Sequence, residues 1–249
     1  MPIYKGQTKI VKLYKGSEQI VKRYKGTNLI YSVGRLPSAF QEVEYIESTG
    51  TQYIDSGVYG KETTKIVFGF QMTDTTNIQY LFGASQTFNT NALSFSFNKD
   101  ARDYLYRVFF GNPSGDNGNV RPDGINSFST KTSVDSCVIT NTSISLDNEL
   151  YNYEYPQTTS FTTPNTITLF ARNNAGTISF YASYKLKKYF QIYDNNVLVR
   201  DFVPCYRKSD SVIGLYDLVN DVFYTNAGTG TFSKGPDTSS ITQLKCQVK

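Results

Sequence analysis

A ten-residue phrase stated three times constrains the start of this chain: Ile3-Tyr4-Lys5-Gly6, Leu13-Tyr14-Lys15-Gly16 and Arg23-Tyr24-Lys25-Gly26 recur at constant spacing. Lys9-Ile10-Val11-Lys12 and Gln19-Ile20-Val21-Lys22 fill the intervals, with a weaker echo at Leu29-Ile30-Tyr31-Ser32. Each unit reads as a short strand followed by a turn at Lys-Gly, where glycine supplies the positive φ that hairpin turns need. A three-residue loop at Gly16-Ser17-Glu18 sets Tyr14 opposite Ile20 and Ile10 opposite Tyr24, and a two-residue loop shifts that register. Either way apolar groups fall on both faces. A meander of this length is too small to support its own core, so it is expected to pack on an oligomeric copy (a trimer is favoured), on its own chain or on a foreign protein. Tyr4, Ile10, Lys12, Tyr14, Ile20, Lys22, Tyr24 and Ile30 are the expected attachment residues.

Charge divides the chain at the same place. Residues 1 to 35 hold eight Lys/Arg and one acidic residue, +7, and the remainder holds 17 basic and 20 acidic residues, −3. A basic head would be drawn to an acidic surface, or its lysines would keep exposed strand edges from pairing. Lys9, Lys12, Lys15, Lys22, Arg23 and Lys25 interleave with tyrosines as in single-strand binders. They fall on regular hairpin positions, however, and no nucleic-acid partner is expected.

Behind a linker at residues 34–40, from Gly34 through Pro37, the signals are strands. Twenty tyrosines and 17 phenylalanines stand against no tryptophan, and aromatics suit a pleated, half-buried surface. More than a dozen short segments separated by turns indicate a sandwich or barrel. They include Lys65 to Gln71, Gln79 to Gly83, Ala92 to Phe97, Tyr104 to Phe110 and Lys187 to Tyr193. Two hairpins are legible: Ile167 to Phe170 joined to Ile178 to Tyr181 through Ala171–Gly176, and Phe190 to Tyr193 joined to Val197 to Val199 through Asp194-Asn195-Asn196. Gly111 to Ser129 lacks periodicity and reads as a long surface loop. Lys185-Leu186-Lys187-Lys188 reads as a solvated edge.

Three scattered cysteines, Cys137, Cys205 and Cys246, form no framework, so reduced thiols and synthesis in a cytoplasm are expected. Lys5, Lys9 and Lys12 interrupt any signal-peptide core, and no run is long enough to span a bilayer. A soluble protein without membrane insertion is the expectation.

The run Glu42-Val43-Glu44-Tyr45-Ile46-Glu47-Ser48-Thr49-Gly50-Thr51-Gln52-Tyr53-Ile54-Asp55-Ser56-Gly57 opens this body. With Ile192 to Asn195, Leu198 to Cys205, Gly214 to Asp217 and the closing Phe223-Tyr224-Thr225-Asn226-Ala227-Gly228-Thr229-Gly230-Thr231-Phe232, it resembles the concanavalin A-like (laminin G-like) jelly-roll family. Such domains recur in phage structural proteins and in surface proteins of gut bacteria. The basic decapeptides ahead of it resemble attachment modules of head-fibre, capsid-decoration or tail-fibre proteins of gut phages, crAss-like phages included. The resemblance implies an all-β chain: a β-meander attachment or oligomerisation module at 1–33, a concanavalin A-like sandwich at 41–236 and a C-terminal tail at 237–249. It also implies capsid or tail proteins of the same virion as partners and assembly in the host cytoplasm. The alternative is a carbohydrate-binding, lectin-like module of a bacterial surface protein.

Chemistry narrows the reading further. The chain contains no histidine, which excludes Ser-His-Asp and Cys-His nucleophilic sites. Jelly-roll glycosidases use paired carboxylates. Glu42 with Glu44, and Asp147, Glu149 and Glu154, are the available clusters, and neither carries a Glu-x-Asp-x-Glu run. No catalytic residue and no cofactor is expected. Asp116, Asn117, Asn119 and Asp123 offer loop oxygens to a hard cation, but such clusters are ordinarily turns, and no metal site is expected. Tyr104, Tyr106, Tyr151 and Tyr153, with Tyr155, are the candidate sugar platform, with strand packing as the competing use.

Overall fold

The computed structural model is all-β, without helices among the described residues. It describes residues 35–97, 106–113, 131–153, 156–157 and 159–238, together with the strand backbones of 4–5, 8–9, 13–15, 18–20, 22–25 and 28–32.

The decapeptides become three separate hairpins among the described residues rather than one meander. β1 (Tyr4–Lys5) pairs β2 (Thr8–Lys9), β3 (Leu13–Lys15) pairs β4 (Glu18–Ile20), and β5 (Lys22–Lys25) pairs β6 (Asn28–Ser32). Lys5 faces Thr8, Lys15 faces Glu18 and Lys25 faces Asn28, so two residues separate the arms each time. Tyr14 is therefore opposite Gln19, not Ile20, the register of the shorter loop. Of the expected attachment residues, Tyr4, Tyr14, Ile20, Lys22, Tyr24 and Ile30 lie on these strands; Ile10 and Lys12 lie outside the described residues.

The body follows as β7 (Phe40–Glu42), β8 (Tyr45–Glu47), β9 (Ile54–Lys61), β10 (Thr64–Met72), β11 (Gln79–Ser85) and β12 (Ala92–Phe97). Next come β13 (Tyr106–Gly111), β14 (Ser133–Ile139), β15 (Ser143–Leu146), β16 (Glu149–Asn152), β17 (Thr162–Leu169) and β18 (Arg172–Asn174). The last are β19 (Thr177–Ser179), β20 (Tyr184–Asp194), β21 (Val197–Arg207), β22 (Ile213–Asp217), β23 (Val222–Thr225) and β24 (Ser233–Lys234). An eleven-stranded sheet runs β16-β15-β14-β10-β20-β21-β22-β23, with β7, β8 and β24 added alongside. A seven-stranded sheet runs β13-β12-β11-β17-β9, with β18 beside β11 and β19 paired to β18.

Alternation in β10 sends Ile66, Phe68, Phe70 and Met72 inward, and β11 and β12 answer with Phe82, Ala84, Leu93, Phe95 and Phe97. The sheets meet through rings: Phe68 lies 5.7 Å from Phe82 and 6.1 Å from Phe95, and Phe70 lies 5.7 Å from Tyr106. These separations suit edge-on and tilted aromatic pairs.

Lys185 to Lys188 do not form an edge. Their strand, β20, is central: β10 pairs it throughout, while β8 pairs Lys185–Lys187 and β21 pairs it from Phe190 onward. A bulge at Lys188, whose φ is +59°, separates the two partners. Arg35 is tied to the body, donating to Glu42 at 2.7 Å and to the Lys188 carbonyl. At the other end Thr238 N–H donates to Glu42 O, so residues 237 and 238 belong to the sandwich edge.

The two runs that carried the family resemblance meet in space. Gln52 Oε1 accepts from Ser48 Oγ and from the Thr49 N–H, Gln52 Nε2 donates to Thr231 O, and the Tyr53 N–H donates to Asn226 Oδ1. These contacts join the opening run of the body to its closing run.

Cys137 and Cys205 are buried free thiols. Burial raises the Cys137 thiol well above its usual range and pushes Cys205 up to about 12. Thiolate is the reactive form. In a Cys246→Ser variant the native chain is therefore expected to react with a thiol reagent at least about a thousandfold more slowly than in denaturant. Rapid labelling of native protein, read by intact mass, contradicts this burial.

Candidate functional site

β11, β12 and β13 are buried on both faces. Their inward residues are apolar, and the register fixes what stands on the other side. Tyr80 faces Ser96, Gly83 faces Ser94, and Ser94 faces Phe109. Ser94 and Ser96 are small, which lowers the middle of this outer face. Tyr80 and Phe109 are buried there, apart from the inter-sheet core.

Arg172 lies over this floor. Phe170 takes a left-handed φ of +68°, ends β17 and turns the chain, so that β18 runs parallel to β11 with Ala84 opposite Asn173. The legible hairpin is thus shorter than Ile167–Tyr181 suggests: its arms are Arg172–Asn174 and Thr177–Ser179, turning at Ala175 and Gly176. The turn delivers the Arg172 side chain beside Gly83, where a β-carbon would stand 3.2 Å from Arg172 Cγ and 2.6 Å from Ser94 Cβ.

The guanidinium is held in a ring cluster. Its carbon is 4.6 Å from the Tyr80 ring centroid, 5.1 Å from Phe180 and 5.6 Å from Phe88. Arg172 Nη1 donates to the Tyr80 hydroxyl at 3.1 Å. Phe88 packs edge-on against Phe109, and Tyr80 N–H donates to Phe180 O. Arg172 is 4% exposed, whereas Phe88 and Phe180 at the rim are 38% and 46% exposed. Burial raises the Tyr80 phenol above its ordinary value, and the positive charges of Arg172 and Arg107 offset part of that rise.

Two buried donors here have no hydrogen-bond partner, Arg172 Nε and Ser94 Oγ. No carboxylate among the described residues pairs with Arg172. Its counterparts differ: Arg35 meets Glu42, Arg207 meets Asp210 at 2.6 Å, and the half-buried Arg200 lies 3.6 Å from the buried Asp217. Burying a charge without a partner is costly, and ring faces recover only about 1 to 2 kcal/mol each.

The tyrosines expected to form a platform do not do so. Tyr106 is 1% exposed in the inter-sheet core with its hydroxyl donating to Lys131 O, and Tyr153 is 6% exposed. Tyr151 is half-buried and donates to Glu149 Oε2 at 3.0 Å. Their alternation is real, but the face they share is the one that packs inward. Tyr104 and Tyr155 lie outside the described residues.

Three of the candidate carboxylates are likewise engaged, whereas Glu44 is exposed. Glu42 pairs with Arg35, Glu149 pairs with Lys131 at 2.9 Å, and Asp147 Oδ1 accepts from the Asp135 and Ser136 N–H groups. The Lys131 and Tyr151 hydrogen bonds hold Glu149 below its ordinary pKa. Glu154 and the loop oxygens of Asp116, Asn117, Asn119 and Asp123 lie outside the described residues.

No family model and no curated protein matches the sequence. Among solved structures the chain is similar to one described as NanB plus Optactamide, at 14% identity over 75% of this chain and 38% of that one, with a TM-score of 0.33. It is also similar to a point mutant of NanB sialidase from Streptococcus pneumoniae, at 13% identity over 78% of this chain and 39% of that one, with a TM-score of 0.30. The chain thus spans about two fifths of the length of the solved chains it matches.

Proposed function

We propose that this chain is a non-enzymatic virion structural protein of a phage, of the head-fibre, decoration or tail-fibre kind. In this reading the N-terminal repeats dock it, as a homotrimer, to a capsid or tail protein, and the sandwich binds glycans. The observation that carries the glycan part is the outer face of the seven-stranded sheet, where Tyr80, Phe88 and Phe180 crowd around Arg172 above a floor of small residues. Ligand sites combine aromatic walls with few, well-placed polar groups, and sugar rings present C–H faces to such walls. The non-enzymatic part is supported by Glu149, which its Lys131 and Tyr151 hydrogen bonds hold below its ordinary pKa, since a general acid needs a raised one.

A glycan array with the intact chain is expected to show selective binding that falls about tenfold, or 1.4 kcal/mol, on Phe180→Ala. A flat array overturns the glycan reading. Removing residues 1–33 is expected to abolish incorporation into particles, and unchanged incorporation overturns the docking reading. The lectin-like module of a bacterial surface protein shares the glycan result and differs in the second.

A further inference from the structure

We infer that the Arg172 cluster recognises a carboxylate carried on a sugar ring, so that the glycans bound are acidic ones. This rests on the glycan reading of the same face and adds its ligand class. The argument begins with charge. Arg172 is buried with no acidic partner among the described residues. Its charge is left to be balanced by an incoming anion.

Hydrogen-bond chemistry gives the form of that anion. Arg172 Nη1 is committed to Tyr80, while Arg172 Nε and Ser94 Oγ lack acceptors. The two side chains are neighbours, since both crowd the position above Gly83. A guanidinium has donors only, and a hydroxyl can donate one proton. A carboxylate offers two oxygens, accepts from both groups and supplies the missing charge. A neutral sugar hydroxyl could accept from these donors but would leave the charge unbalanced.

The rim supplies the rest of the ligand's contacts. Phe88 and Phe180 are partly exposed directly beside the guanidinium. They stand where the ring bearing the carboxylate would lie. Phe180 also holds a left-handed φ of +51°, costly for a bulky residue. Its carbonyl, accepting from Tyr80 N–H, helps fix it.

The test is titration calorimetry of the intact chain with oligogalacturonate and with its fully methyl-esterified form, which keeps the sugar and removes the charge. The acid is expected to bind at least about tenfold more tightly, and Arg172→Gln is expected to erase that difference. Should Arg172→Gln fail to fold, the near-isosteric Ser94→Ala is expected to shrink the acid preference several-fold. Equal affinity for acid and ester overturns the inference and leaves the glycan reading standing. Preference for the acid that survives both substitutions overturns the assignment to this cluster. No binding to either probe, with a flat glycan array, removes the glycan reading and this inference together.

Discussion

Phe68→Ala is expected to destabilise the sandwich by about 3 to 5 kcal/mol, lowering Tm by roughly 10 °C for a domain of this size. Phe68 is fully buried on β10, a central strand of the larger sheet. Its ring touches its own sheet at Phe70 and Phe190, at 5.4 and 5.1 Å, and crosses to Phe82 and Phe95 at 5.7 and 6.1 Å. Truncation removes transfer free energy and leaves a void that none of these rings can fill, because each is held by a further partner: Phe82 by Phe190, and Phe95 by Tyr106 at 5.2 Å. Val67→Ala, on the half-buried opposite face of the same strand, serves as control and should cost less than about 1 kcal/mol. Thermal melts that give the two variants similar losses would place the inter-sheet contact elsewhere.

The same residues show where a sequence can be read. Ala92–Phe97 is legible to the residue because small side chains alternate with large ones, and both its faces are set by that alternation. Asn195 and Asn196 turn the Asp194–Val197 hairpin at φ of +48° and +64°, conformations asparagine tolerates. β9 is not legible, since Gly57 and Gly60 break its pattern; Gly60 is there because a β-carbon would meet Leu93 of β12 at 2.9 Å, and two strands stand between β9 and β12 in the sheet order. The reversal at Phe170 is hidden for another reason, because nothing in Leu169-Phe170-Ala171 signals a left-handed residue. The period-two spacing of Tyr151 and Tyr153 reports a shared face and not its direction, so it leaves a sugar platform and strand packing both open.

The candidate site is less legible than the fold that holds it. Tyr80, Phe88, Ser94, Arg172 and Phe180 come from four segments, and only the pairing of β11 with β12, β17 and β18 brings them together. The one local clue is a lone arginine behind the apolar run Ile167-Thr168-Leu169-Phe170-Ala171. That pattern usually marks a strand end, where a charge reaches water. Here the chain turns back, and the arginine is covered instead.

Gly83→Ala is expected to cost about 1 to 3 kcal/mol and to abolish binding at the Arg172 cluster, the largest effect on function available from a single methyl group. Gly83 lies between Ser94 on β12 and Thr168 on β17, with backbone on either side. An added β-carbon would stand 2.6 Å from Ser94 Cβ and 3.4 Å from Ser94 Cα, so the strand itself must shift, whereas a flexible side-chain tip could simply rotate. The third neighbour is Arg172 Cγ at 3.2 Å, near the base of that side chain, so the guanidinium is levered away from Tyr80. Gly176 makes the contrast: nothing lies within 4 Å of its β position, and there the requirement is the φ of +88° at the turn. Melting curves and the oligogalacturonate titration read the two consequences of Gly83→Ala separately. Lost affinity with a modest fall in Tm means the glycine reserves space for the arginine. A large fall in Tm with affinity retained means the space serves strand packing alone, and the cluster above it does not bind the ligand.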